Sequence, residues 1–99
     1  MILEIAQIDV KPGLESRFEQ GVRDAVPIFK SSKGCKGLEL RRSIEQPRRY
    51  RVLIQWETLE NHTVDFRGSE NFKKWRALVG DCFESPPLVE HVALTFKGF

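Results

Sequence analysis

Cysteine is scarce in this chain of 99 residues: Cys35 and Cys82 stand far apart and form no CxxC pair, so neither a disulfide framework nor a zinc site is suggested. Reduced, partly buried thiols in a cytoplasmic protein are expected instead. No apolar run approaches the length that spans a bilayer, so no membrane partner is expected. The first ten residues, Met1 to Val10, contain Glu4 and Asp9 and lack both a basic start and a small-residue cleavage site, and they read as a strand, not a signal peptide. An excess of one charge is also missing. Charged residues make up 30% of the chain, yet the formal net charge is only +2, too small by itself to imply a polyanionic partner. There is no phosphate-cradling glycine loop, serine elbow or metal-ligand spacing. The protein is therefore expected to work without metal or cofactor. No repeat, linker or low-complexity segment appears, and residues 1–99 read as a single domain.

What is present is a regular succession of strand and helix patterns. Met1 to Val10 carries Ile2, Ala6, Ile8 and Val10 on one face and Leu3 and Ile5 on the other, before Lys11-Pro12-Gly13 breaks it. From Leu14 to about Lys33, the positions Leu14, Phe18, Val22, Val26 and Phe29 predict one amphipathic helix, kinked at Pro27. Leu38 to Ile44 and Arg49 to Glu57 form a predicted antiparallel hairpin around Glu45-Gln46-Pro47-Arg48. Thr58 opens a second helical region, interrupted at Gly68-Ser69 with a new cap at Ser69. Ser85-Pro86-Pro87 ends that region, and Leu88 to Phe96 is the last strand. The order βαββαβ is ferredoxin-like: an α+β fold with a four-stranded antiparallel sheet and two helices on one face.

Two helices cover only one face of such a sheet, whereas strands one and four appear apolar on both. A second copy of the chain is the expected cover, giving a homodimer with facing sheets.

The strand Tyr50 to Glu57 and the helical region beyond Thr58 direct a strand end and a helix face at one cleft. Trp56 offers a broad face for stacking and one N–H donor, though a core tryptophan at a strand end fits the sequence as well. His62 is a candidate base for a phenolic proton, against a plain helix-surface or capping histidine. Arg76 is a candidate anion holder, against a surface ion pair with Glu70 or Asp81. His91 is a reserve base or a histidine satisfied within the fold. Phe18, Val22, Phe29, Phe72 and Phe83 are candidate apolar wall, or core. Arg41, Arg42, Arg48, Arg49 and Arg51 raise nucleic-acid binding. Leu3, Ile5, Val52 and Ile54 stand where an RNA-recognition sheet of this strand order needs aromatics, so no nucleic-acid partner is expected.

Gln55-Trp56-Glu57, the helix with His62 and Phe66, the Gly68-Ser69 break, Phe72-Lys73-Lys74-Trp75-Arg76, and Pro87 leading into Val89-Glu90-His91 resemble the antibiotic biosynthesis monooxygenase family of the dimeric α+β barrel superfamily. The resemblance covers essentially the whole chain. It implies a small dimer with a cavity in each subunit between helices and sheet, where some members oxidise phenols or quinols to quinones with dioxygen and no cofactor. Their tryptophan at the end of the third strand is matched by Trp56, and their arginine on the second helix by Arg76. Their strand asparagine falls near Val52 and their helix tyrosine near His62. Haem-degrading relatives need an asparagine on strand one, where Ala6 or Gln7 stands, and a tryptophan and a histidine where Phe66 and Arg76 stand. The expectation is a monooxygenase with His62, Arg76 and Trp56 as catalytic residues. Trp56, Phe66, Phe72, Phe18, Val22 and His91 are expected to bind a small aromatic substrate. A non-catalytic dimer that binds or senses a small molecule is the alternative.

Overall fold

Apolar alternation and helical spacing start each element in this chain, but the available pairing partner decides where it stops. The computed structural model describes residues 1–99. It runs β1 (Ile2–Asp9), α1 (Glu15–Asp24), α2 (Val26–Lys30), β2 (Cys35–Arg42), β3 (Arg49–Trp56), a π-helical segment (Asn61–Phe66), α3 (Glu70–Val79), a 3-10 turn (Gly80–Cys82) and β4 (Leu88–Val92). The strands lie in the order β2-β3-β1-β4, and each neighbouring pair is antiparallel. This is the ferredoxin-like α+β fold expected from the sequence.

Even-numbered side chains of β1 and β3 point toward the helices. Ala6 and Ile8 on β1 join Tyr50, Val52, Ile54 and Trp56 on β3 and meet Phe18, Phe29, Phe66, Trp75 and Val79 in one buried cluster. Each fully buried Val, Ile or Phe of this set stabilises the fold by roughly 1.5–3 kcal/mol.

Three boundaries depart from expectation. The single helix from Leu14 to about Lys33 is two, because Pro27 has no N–H for the ladder and its ring collides with the carbonyl one turn back. It is accommodated in the first turn of the separate helix α2. Strand β2 spans Cys35–Arg42, not Leu38–Ile44, since its ladder runs from Cys35 opposite Trp56 to Arg42 opposite Tyr50. Strand β4 stops at Val92, not Phe96. Val92 already pairs with Leu3, and β1 has almost no residues left to offer a longer strand.

The helix-distal sheet face is also less uniformly apolar than expected. Leu3, Ile5, Leu53, Leu88 and Val92 share it with Gln7, Arg51 and Glu90. Beyond it, Leu94 and Phe96 are about four-fifths exposed, at 79% and 80%. The basic hairpin is internally neutralised: Arg41 meets Glu39, Arg42 meets Glu19, Arg48 meets Glu84 and Arg49 meets Asp9, while Arg51 donates to Gln7. No helix is long and apolar enough to cross a membrane.

Candidate active site

Strand parity carries a charged residue inward. Glu4 lies on the same side of β1 as Ala6 and Ile8, opposite Ile54 on β3 and His91 on β4, and it is only 5% exposed. Trp56, closing β3, donates its Nε1–H to Glu4 Oε1 at 2.9 Å. His62 Nε2 lies 3.3 Å from the same oxygen, and His62 Nδ1 lies 2.7 Å from His91 Nε2. Glu4, His62 and His91 therefore form a continuous chain from the sheet interior to the edge strand.

The π-helical segment sets the position of His62. Thr58 Oγ1 accepts from the Asn61 N–H at 3.2 Å while Asn61 Oδ1 accepts from the Thr58 N–H at 3.0 Å, a reciprocal cap on the entry. The Arg67 N–H then reaches back to the His62 carbonyl at 3.2 Å, the wide-turn bond that defines the segment. Ser69 Oγ accepts from the Phe72 N–H at 3.3 Å and starts α3 as expected. The result buries His62 with its ring stacked on Trp56, centroids 5.4 Å apart and planes 17° from parallel.

Burial dominates the ionisation of this chain. It raises the Glu4 carboxyl from 4.5 to about 7, even though the Trp56 hydrogen bond and the Arg67 charge pull the other way. It lowers His62 from 6.5 to about 4, assisted by the Arg67 and His91 charges. His91 is lowered too, by burial and then by Arg67. Both imidazoles are thus neutral near pH 7, and the 3.3 Å approach of His62 Nε2 to Glu4 Oε1 is a contact between a carboxyl and a neutral imidazole, not an ion pair.

Beside this chain lies a cavity of about 350 Å³, large enough for a small aromatic molecule. Glu4, His62 and Arg67 form its polar wall; Phe29, Phe66, Phe72, Trp75 and Phe83 supply aromatic surface, with Pro86-Pro87 and Val89 at the sheet edge. Arg76 also lines it, its guanidinium 5.2 Å from the Phe83 ring centroid and 6.0 Å from that of Phe72. Glu70 pairs with Lys73 and Asp81 with Arg17, so the alternative ion pair of Arg76 does not form.

The structure brings His62, Phe66, Phe72 and Arg76 to one cavity. Trp56 is wholly buried, its ring covered by His62 and Phe66, and it meets the site through its N–H, not through an open stacking face. Phe18 belongs to the core, packed on Tyr50 and Phe83. Val22 faces a separate groove beside Leu38, Leu40 and Tyr50. His91 reaches the site through His62. Sequence reasoning passed over Glu4 and Arg67. The signal for Glu4 was its parity: one carboxylate in the row Ile2, Ala6, Ile8, Val10 that faces the core.

Residues 1–78 match the profile of the family described as antibiotic biosynthesis monooxygenase. The chain is 41% identical over 91 residues to the uncharacterized protein YczJ of Bacillus subtilis (strain 168), covering 92% of this chain and 96% of that one. A crystal structure from Bordetella bronchiseptica, described as a proposed antibiotic biosynthesis monooxygenase, is 52% identical, with a TM-score of 0.95 and coverage of 96% of this chain and 97% of that one. A Nitrosomonas europaea structure at 17% identity, covering 97% of this chain and 100% of that one, shares the fold with a TM-score of 0.80. The profile match over most of the chain and the two near full-length likenesses make this protein a member of the antibiotic biosynthesis monooxygenase family.

Proposed function

We propose that this protein is a cofactor-independent monooxygenase that oxidises a small phenolic or quinol-type aromatic with dioxygen. Family membership supports a monooxygenase-like role in general. The observation that carries the finer reading is the aromatic-lined cavity, in which the guanidiniums of Arg67 and Arg76 share one space with the Glu4–His62 chain. Such a site accepts a flat apolar ring, removes its hydroxyl proton and holds the resulting phenolate against fixed cations. The phenolate then passes one electron to dioxygen. Superoxide and the phenoxyl radical combine at a ring carbon, the peroxide is protonated, and the O–O bond breaks. Hydroxide leaves with the ring C–H proton as water, and a quinone remains.

His62 is engaged at both ring nitrogens, which assigns it a share in proton movement and makes it a poor isolated base. The protein works in this reading as a cytoplasmic homodimer. Free Cys35 and Cys82 favour a reducing compartment, and the exposed Leu94 and Phe96 favour a second copy.

Dioxygen uptake against a panel of quinols and hydroxynaphthalenes tests the reading. Uptake above the uncatalysed rate that falls on Arg76→Ala is expected. The alternative of a non-catalytic binder rests on the fully buried Val52, which occupies the approximate place of the family's strand asparagine. Saturable binding of several compounds with no uptake for any would establish that alternative.

A further inference from the structure

Resting on that reading for the identity of the substrate, we propose that Glu4 takes the proton of the phenolic hydroxyl in the cavity, and that His62 and His91 form the path by which Glu4 exchanges protons with solvent. The geometry is specific. Both protein contacts to the carboxyl, from Trp56 and His62, fall on Oε1, leaving Oε2 for a molecule in the cavity that Glu4 lines. Glu4 is thus the cavity-facing end of the chain. His91 is the other end, on the edge strand β4 and only half-buried.

Two proton arrangements along the chain leave both imidazoles neutral, each needing the 3.3 Å Glu4–His62 contact to close into a hydrogen bond as the proton passes. With Glu4 ionised, His62 donates from Nε2 to Glu4 and His91 donates from Nε2 to His62 Nδ1. With Glu4 protonated, its O–H donates to His62 Nε2 and His62 donates from Nδ1 to His91 Nε2, with the His91 proton on Nδ1. Passing from the second pattern to the first moves three protons one step each: Glu4 to His62, His62 to His91, and His91 Nδ1 to water. One proton leaves, a carboxylate remains, and neither imidazole ends charged. That carboxylate then takes the phenolic proton and later gives it to the peroxide oxygen, which restores it for the next turnover.

The surroundings favour this assignment. Facing Glu4 are the Trp56 N–H from β3, His91 from β4, His62 from the π-helical segment, and Arg67 after it. Arg76 from α3 lines the same cavity, and the Glu4 charge reaches the Cys35 thiol on β2. Burial holds Glu4 close to neutrality in pKa and keeps both histidines uncharged there, so the carboxyl changes charge while the imidazoles change tautomer.

Nuclear magnetic resonance titration of the ligand-free protein, with labelled carboxyl carbon and imidazole nitrogen, tests the relay without any substrate. The expected result is one carboxyl titrating near neutrality, absent in Glu4→Gln, with His62 switching in the same step from the Nδ1–H to the Nε2–H tautomer. A His62 that keeps one tautomer through that step, or becomes an imidazolium in it, overturns the relay. Turnover tests the acceptor role. Glu4→Gln keeps an oxygen for Trp56 and should lower quinol oxidation by about a hundred- to ten-thousandfold while quinone binding persists. His91→Ala removes the outer end of the path, so in the same titration the His62 tautomer switch should no longer accompany the carboxyl step. Parent-like oxidation by folded Glu4→Gln overturns the acceptor role while leaving the oxidation reading intact. A wild-type protein that oxidises nothing in the panel sinks the oxidation reading and the acceptor role together, and the titration alone then decides the relay.

Discussion

Glu4 and His62 make stability depend on pH with opposite signs. The Glu4 carboxyl rises on folding from 4.5 to about 7, so between those values the native state holds more protons than the unfolded chain, and stability falls as pH rises through that window. His62 drops from 6.5 to about 4, so the unfolded chain holds more protons there and stability rises with pH over that range. The two slopes oppose each other through most of their overlap. Glu4→Gln removes one of them. Relative to the parent, this variant should therefore gain stability from about pH 5 to about pH 8, by about 2–3 kcal/mol in urea melts. A parallel pH dependence of the two proteins would show that Glu4 titrates as an ordinary carboxyl. The same residue marks the limit of sequence reading. A histidine, an arginine and two phenylalanines at helical spacing declare a shared face, and His62, Arg76, Phe66 and Phe72 do line one cavity. A glutamate among strand apolars is indistinguishable from an edge residue until the opposite strands are known, and Arg67 depends on the phase of a π turn that helical periodicity does not report.

The π-helical segment is held at its start by Asn61, and Asn61 needs the space left by Gly34. Gly34 sits at φ +76°, and a Cβ there would collide with the Asn61 side-chain amide. Gly13 has a similar φ of +84° but open space around it. The two glycines separate the backbone cost from the packing cost. Gly13→Ala should destabilise by about 1 kcal/mol, the penalty for a left-handed L-residue. Gly34→Ala should cost clearly more, roughly 2–4 kcal/mol, because the Thr58–Asn61 cap is displaced as well. Equal losses in denaturant melts would mean that Asn61 moves aside freely and does not fix His62. Element order was legible throughout, since alternation, the Ser69 cap and the Pro86-Pro87 stop are local signals. Element ends were not. The break at Ala25 required knowing that Pro27 would open a new helix, and the end of β4 depends on the register of β1, a pairing distant in the chain.

At the scale of the molecule, β4 ends before its apolar sequence does. Leu94 and Phe96 extend past the last paired residue, and Leu3, Ile5, Leu53, Leu88 and Val92 gather on the helix-distal face of the sheet. Gln7, Arg51 and Glu90 border the contiguous group Leu3, Ile5, Leu53 and Val92 and set Leu88 apart from it, which gives the face the apolar centre and polar rim of a specific contact between proteins. A second copy presents the same patch by two-fold symmetry, and the exposed tail can extend its contact area. Sedimentation equilibrium at micromolar concentration should therefore give twice the 11.5 kDa chain mass. Val92→Asp places a charge on the helix-distal face of the edge strand, beside Leu3, where pairing would strip its water, and should shift the protein toward monomer without touching the cavity. Surface Lys30→Glu is the matching control, since Lys30 is exposed at the end of α2, on the helix side of the sheet, and should leave the mass unchanged. A parent that sediments at 11.5 kDa refutes the dimer outright, and a dimeric Val92→Asp moves the contact to another face.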